Sequence, residues 1–241
     1  MLSQLNIGGM VPFTTIDFPG RLATVLFLRG CNLRCGYCHN PDLLDGTKSG
    51  TERWSRVESF LKHRQGFLEG VVLSGGEPTL EPRLPELAAC IRELGFEVSL
   101  HTNGVRPDVI QHLIDERLVQ HVALDVKGPF DQYMRIAGAD HGLPAAKSMQ
   151  ILLESGVPHE FRTTVHPDLL SDRDLLNLAD QMHVLGARKL VLQRFQEGKI
   201  LDVSLNRVIR SWVQASTIRA LESRLGRIEV RGADLPETLA A

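Results

Sequence analysis

The chain has 241 residues, 43% of them hydrophobic and 23% charged, and its 27 basic and 29 acidic side chains leave a net charge of -2. That length can carry one α/β domain with a sizeable core, and the near-neutral balance argues against a surface built mainly to neutralise nucleic acid. The amino terminus lacks the basic start and apolar core of a secretory signal, and no stretch approaches the ~20 apolar residues of a membrane span, so the chain reads as cytoplasmic with no membrane partner.

In chain order, apolar runs rich in β-branched residues predict buried strands at 23–30, 70–76, 96–104 and 121–128, with weaker ones at 159–167 and 188–195. Helical periodicity predicts helices at 54–65, 82–94, 107–118, 145–155 and 172–185, with Gly95, Gly156 and Gly186 at their stops. The stretch from Asp202 to Leu225 reads as one more amphipathic helix, and 227–232 as a last short strand. Strand and helix taking turns implies βα units, a parallel sheet and a single domain over 1–241, with a core at about 20–200 and a carboxyl-terminal helical extension at about 201–241.

That alternation places polar clusters at the carboxyl ends of the strands, where parallel sheets and barrels bind ligands. The clusters are the cysteine loop, "SGGEP", "HTNG", "DVKG", "TVHP" and "QRF". The first, "GCNLRCGYCHN", holds three of the four cysteines, Cys31, Cys35 and Cys38, with His39 beside them. In a reducing compartment, crowded cysteines favour metal binding or redox chemistry over a disulfide. Two metal readings stand side by side. One is a structural zinc site completed by His39 or a distant histidine. The other is an iron-sulfur cluster with three protein ligands and one open iron. Cys90, inside a helical pattern, reads as a small core hydrophobe. Glu77 could cap the helix after Pro78, Asp125 and Lys127 could form a plain ion pair, and His166 reads as a turn residue. The histidines beyond His39, His101 and His166 read as surface. Arg21, Arg29, Arg34, Arg162 and Arg194 fall near the expected site edge.

"CNLRCGYCHN" resembles the radical S-adenosylmethionine signature, Cys-x3-Cys-x2-Cys with an aromatic residue, here Tyr37, before the third cysteine. The resemblance spans most of residues 10–200 and implies a partial (β/α)6 barrel of the TIM type, built on a parallel sheet. It further implies one 4Fe-4S cluster on Cys31, Cys35 and Cys38, with S-adenosylmethionine at the open iron, cleaved by one electron to a 5'-deoxyadenosyl radical. By the same resemblance, Ser74, Gly75, Gly76 and Glu77 match the motif that binds the cofactor's amino group. Thr102, Asn103, Asp125 and Lys127 match ribose and carboxylate contacts, Lys127 facing the carboxylate and counting with the cysteines as catalytic, while Val165 and its neighbours would meet the adenine. His101 departs from the family pattern, standing where many relatives have aspartate.

The lead "PFTTIDFPG" is similar to the amino terminus of glycyl-radical enzyme activators, and most like that of anaerobic ribonucleoside-triphosphate reductase. Four cysteines leave no ligands for a second cluster. The implied partners are that reductase and an electron donor such as flavodoxin or ferredoxin. Three alternatives accompany this reading: activation of another glycyl-radical enzyme such as pyruvate formate-lyase, small-molecule chemistry of the 7-carboxy-7-deazaguanine synthase kind, and a zinc-stabilised binding module.

Overall fold

The six expected strands form, as does the short last strand expected at 227–232, and an eighth precedes them all. The computed structural model describes residues 2–206 and 212–232. Its eight-stranded sheet runs β1 (Ile7–Thr14), β2 (Ala23–Leu28), β3 (Gly70–Gly75), β4 (Glu97–Thr102), β5 (His121–Asp125), β6 (His159–Val165), β7 (Lys189–Arg194) and β8 (Arg227–Arg231), in that spatial order. Strands β2 to β8 are parallel, while β1 pairs antiparallel with β2. No β1–β8 pairing occurs among the described residues, so the barrel stays open between them.

Helices fill the crossovers: α1 (Trp54–Arg64), α2 (Leu84–Glu93), α3 (Pro107–Asp115), α4 (Tyr133–Ala137), α5 (Gly142–Ser155), α6 (Asp172–Leu185) and α7 (Ala215–Leu225). Their apolar faces meet outward-pointing strand residues such as Leu26, Leu73, Leu100, Leu124 and Leu192, and this layer holds the main core. By the two-residue alternation of a strand, the opposite, concave face carries Val25, Val72, Ser99, His101, His121, Asp125, Glu160 and Arg162. A core layer on one face and a largely polar one on the other is how the fold makes room for a site.

Two expectations change. Strand β1 was not anticipated, because Gly8, Gly9 and Pro12 dilute its pattern; an antiparallel edge strand tolerates them where a central strand would not. The helix expected from Asp202 to Leu225 is shorter. Asp202 instead caps a 3-10 turn at Val203–Leu205, accepting from the Ser204 N–H, and α7 begins only at Ala215; residues 207–211 of the expected helix lie outside the described residues. The strand expected at 227–232 forms as β8 and completes the sheet beside β7.

The lead turn has a structural role. After β1 the chain drops under the barrel, and Phe18 packs against Ala23, Val25 and Val72 while stacking on His121 at 5.7 Å. Phe18 thus plugs the amino-terminal end of the barrel. Arg21 lies at that same end, paired with Glu97 at 2.9 Å, and not at the site edge.

Candidate active site

The cysteine loop leaves the end of β2 and is held on three sides. Its stem is fixed by Gly30 N–H to Leu43 O at 2.7 Å, and its tip by Arg34 N–H to Ala137 O at 2.8 Å. The Arg34 guanidinium donates back to the carbonyls of Cys31 at 2.8 Å and Leu33 at 2.7 Å, so this arginine clamps the loop it belongs to. All four cysteines are free thiols; Cys35 is buried, Cys31 and Cys38 half-buried, and Cys90 packs half-buried against the core. Burial pushes the Cys31 thiol up to about 11, against the Leu33 N–H that favours its thiolate. Burial also raises Cys35, opposed by Lys127.

The third support was not foreseen. After β7, residues 195–206 fold back as a strap over the loop, with Leu201 N–H donating to Cys38 O at 3.1 Å and Asp202 N–H to Gly36 O at 2.9 Å. His39 bonds Gln196 O at 2.7 Å through Nε2 and stacks on Phe195. Gly36 packs close under the strap, where a Cβ would come within 2.8 Å of Leu205 Cδ1. The only signal in the sequence is "QRF" itself; the strap's bonds run through backbone atoms, which side-chain patterns do not report.

At the end of β3, Gly75 and Gly76 let the strand press against the cysteine loop: a Cβ on Gly76 would meet Gly30 O at 2.2 Å. Their closest approach is therefore to the chain itself. Glu77 follows, buried, and caps the turn Pro78–Leu80 as the capping reading expected. Its Oε1 accepts from Thr79 N–H, Thr79 Oγ1 and Thr102 Oγ1 at 3.0, 2.6 and 2.6 Å, and its Oε2 accepts from Asn103 N–H at 2.7 Å. Burial raises its pKa against those four donors. Acceptor capacity remains on Oε2. Asn103 in turn spends its amide on Asn32 Oδ1 at 3.0 Å, tying β4 to the cysteine loop.

On β5 and β6, Asp125 receives Arg162 Nε at 2.9 Å and Lys127 Nζ at 3.3 Å. Burial works against the Asp125 carboxylate, yet the two cations outweigh it and hold its pKa below the ordinary value. Lys127 is raised well above its usual value, burial being outweighed by Asp125. Arg162 Nη1 also reaches His101 Nδ1 at 3.4 Å, and His101 Nε2 meets Asp17 O at 2.8 Å. An arginine can only donate, so Nδ1 accepts, Nε2 carries the proton, and the ring is neutral. Burial and Arg162 lower its pKa to about 3.

These groups line one cleft of about 210 Å³: the three cysteines, Tyr37, Ser74 to Glu77, His101, Thr102, Asn103, Asp125, Lys127 and Thr164. Twelve of the thirteen expected site residues are therefore brought together. Val165 is not; its side chain is buried in the outer core, and Thr164 takes its place in the cleft. Strict alternation along β6, with Glu160 and Arg162 facing inward, would have pointed to Thr164. Two histidines also differ from expectation: His166 is fully buried, and His121 is buried inside the barrel instead of on the surface.

The Radical SAM superfamily model matches residues 25–182. The chain belongs to the radical SAM superfamily. It is 35% identical over 181 residues, 72% of this chain and 73% of the relative, to a Methanocaldococcus jannaschii protein named as a glycyl-radical enzyme activating enzyme. It is 33% identical over 187 residues, 71% of this chain and 72% of the relative, to the Staphylococcus aureus pyruvate formate-lyase-activating enzyme. Among solved structures, Streptococcus suis SuiB bound to S-adenosylmethionine aligns with a TM-score of 0.61 at 15% identity, covering 84% of this chain and 48% of that one. That likeness shows the shared fold.

The superfamily's cofactors are a 4Fe-4S cluster and S-adenosylmethionine, and the cleft fits them. Among the described residues no three His, Cys, Asp or Glu side chains converge on one ion. Three thiols on one loop beside an open cleft are the donor set of a cluster with one open iron, and His39 Nε2 is already bonded to Gln196 O in the strap. Tyr37, buried beside Cys35 with its hydroxyl favouring that thiolate, lines the same cleft.

Proposed function

We propose that this radical SAM enzyme generates a glycyl radical on a partner protein. Cluster and cofactor together supply one-electron cleavage of S-adenosylmethionine and removal of a Cα hydrogen from the partner's glycine. The observation that carries the reading is the convergence of a three-thiol loop, Glu77 and the Asp125–Lys127 pair in one cleft, in a chain a third identical to named activating enzymes.

In this reading Cys31, Cys35 and Cys38 hold the cluster. Lys127 takes the cofactor's carboxylate, Glu77 Oε2 its ammonium, and Thr102, Asn103 and Ser74 line the remaining wall. The chain's work is placement: Asp125 fixes the Lys127 ammonium, Tyr133 Oη accepts the Lys127 N–H at 3.1 Å, and Asn103 keeps the cysteine loop against β4. Arg34, already turned onto the loop carbonyls, offsets the added negative charge of a reduced cluster.

For the partner we propose anaerobic ribonucleoside-triphosphate reductase, with an electron donor of the flavodoxin or ferredoxin class. Support comes from the four-cysteine count and the "TTIDFPG" lead, which also serves the barrel, its Phe18 packing on Ala23, Val25 and Val72 and its Asp17 carbonyl bonding His101. The test is electron paramagnetic resonance of the anaerobically reconstituted, reduced protein. A 4Fe-4S signal that shifts on adding S-adenosylmethionine, followed by a glycyl signal when the reductase is added, is expected. A cluster signal without a glycyl signal on this reductase but with one on pyruvate formate-lyase would reassign the partner.

A further inference from the structure

Beyond the cofactor groups, the concave face of β5 to β8 carries an unbroken chain of ion pairs. Lys127 meets Asp125 at 3.3 Å, Asp125 meets Arg162 at 2.9 Å, Arg162 meets Glu160 at 3.6 Å, and Glu160 meets Arg231 at 2.7 Å. Arg231 then meets Glu229 at 2.7 Å, and Glu229 meets Lys189 at 2.8 Å. Four cations alternate with three anions, leaving a surplus of one positive charge. In the proposed function Lys127 faces the cofactor's carboxylate, which cancels that surplus. The floor of the open barrel is then electrically balanced, each charge committed to another.

One step nearer the carboxyl ends, Thr164 on β6 and Gln193 on β7 are register partners, and Gln193 is in turn the register partner of Arg231. Both are half-exposed, Thr164 lines the cleft, and no side-chain hydrogen bond of either occurs among the described residues. A hydroxyl and a primary amide each offer a donor and an acceptor. Those are the needs of a peptide N–H and C=O, whose burial without partners is costly. A glycine has no side chain to be held, so the backbone on either side of it is what groups next to its Cα can bind.

We propose that Thr164 and Gln193 are substrate-binding residues that hold a neutral, extended peptide backbone across the carboxyl-end mouth of the barrel. This rests on the glycyl-radical reading. The substrate is selected by backbone hydrogen bonds over a charge-balanced floor, so its binding depends little on salt.

The test uses the reconstituted holoenzyme with full-length anaerobic ribonucleoside-triphosphate reductase, following the initial rate of glycyl radical formation against reductase concentration. Loss of one such bond is expected to raise KM for the reductase about tenfold in Gln193→Ala, with kcat within twofold, because uniform binding is what is removed. Thr164→Val, nearly isosteric, is expected to act in the same direction with S-adenosylmethionine affinity unchanged, and covers the case that the first variant folds poorly; a fall in that affinity would assign Thr164 to the cofactor's wall and overturn its part in the proposal. The wild-type KM should change less than threefold between 50 and 200 mM salt. An unchanged KM in both variants, or a tenfold salt effect, overturns the proposal while leaving the activase reading intact. A wild-type enzyme that cleaves S-adenosylmethionine yet forms no glycyl radical on any glycyl-radical partner overturns that reading, and the proposal with it.

Discussion

His166 holds Leu205: its Nε2 donates to the Leu205 carbonyl at 3.0 Å while its Nδ1 accepts from the Asp168 N–H at 3.2 Å. The backbone N–H can only donate, so the tautomer is fixed, and the ring is fully buried against Phe195 at 4.9 Å. This bond anchors the far end of the strap that covers the cysteine loop. His166→Leu leaves the Leu205 carbonyl unpaired, a cost of about 1.5 kcal/mol. The Leu201 and Asp202 amides should then exchange with solvent about tenfold faster, read by hydrogen exchange of the reconstituted protein. Unchanged exchange at those two amides would place the strap's anchor elsewhere.

The parallel sheet and most of the cleft were legible because both follow from side-chain pattern: apolar runs mark strands, and the loops that end them hold Cys31, Glu77, Asn103 and Lys127. What stayed hidden is carried by backbone and by register. The strap bonds Cys38 and Gly36 through main-chain amides. The inward face of Thr164 depends on a single residue of phase, which the alternation of Glu160 and Arg162 carries and the apolar run alone does not. His121 and His166 read as polar, yet each is buried with specific partners, Ser99 and Leu205.

Phe18 closes the amino-terminal end of the barrel and is 4% exposed, whereas Ile16, two residues earlier, is 82% exposed. Phe18→Ala removes a ring packed on two strands and on His121, a change that costs about 3–5 kcal/mol in a core. Ile16→Ala should stay within about 0.5 kcal/mol. Urea unfolding of both variants checks the contrast, and equal losses would mean that the turn, not the plug, is what the barrel requires.

Two neutral histidines make the fold acid-sensitive. Burial lowers His121 to about 4, and burial with Arg162 lowers His101 to about 3. Both folded values lie below the unfolded value of about 6.5, so below that pH the unfolded chain binds more protons than the folded one. Their contribution is fully present above about pH 6.5 and is lost as pH falls toward 4 and then 3, with a slope of up to about 1.4 kcal/mol per pH unit for each site. Urea midpoints measured from pH 7.5 to 5 should fall, and His121→Gln should flatten the fall. A flat wild-type profile would mean that neither ring resists protonation.

Asp125 and Lys127 are unequal partners, and substituting each in turn separates binding from folding. Lys127→Met removes one of two cations on Asp125 and leaves Arg162 Nε at 2.9 Å, so the carboxylate keeps a partner. Stability should change little while S-adenosylmethionine binding weakens about 30-fold, the value of a charge-assisted bond to the cofactor's carboxylate. Asp125→Asn does the reverse. It deprives Lys127 of its counter-charge and leaves Arg162, besides its bond to His101 Nδ1 at 3.4 Å, only the longer ion pair with Glu160 at 3.6 Å. Leaving buried cations unpaired costs several kcal/mol in an interior; with 32% of the Asp125 side chain open to the cleft, about 2 kcal/mol is expected. Calorimetry of cofactor binding beside urea unfolding distinguishes the two. If Lys127→Met instead unfolds the protein and leaves cofactor affinity intact, the lysine is a structural ion-pair partner, and the cofactor's carboxylate must be held by another cation.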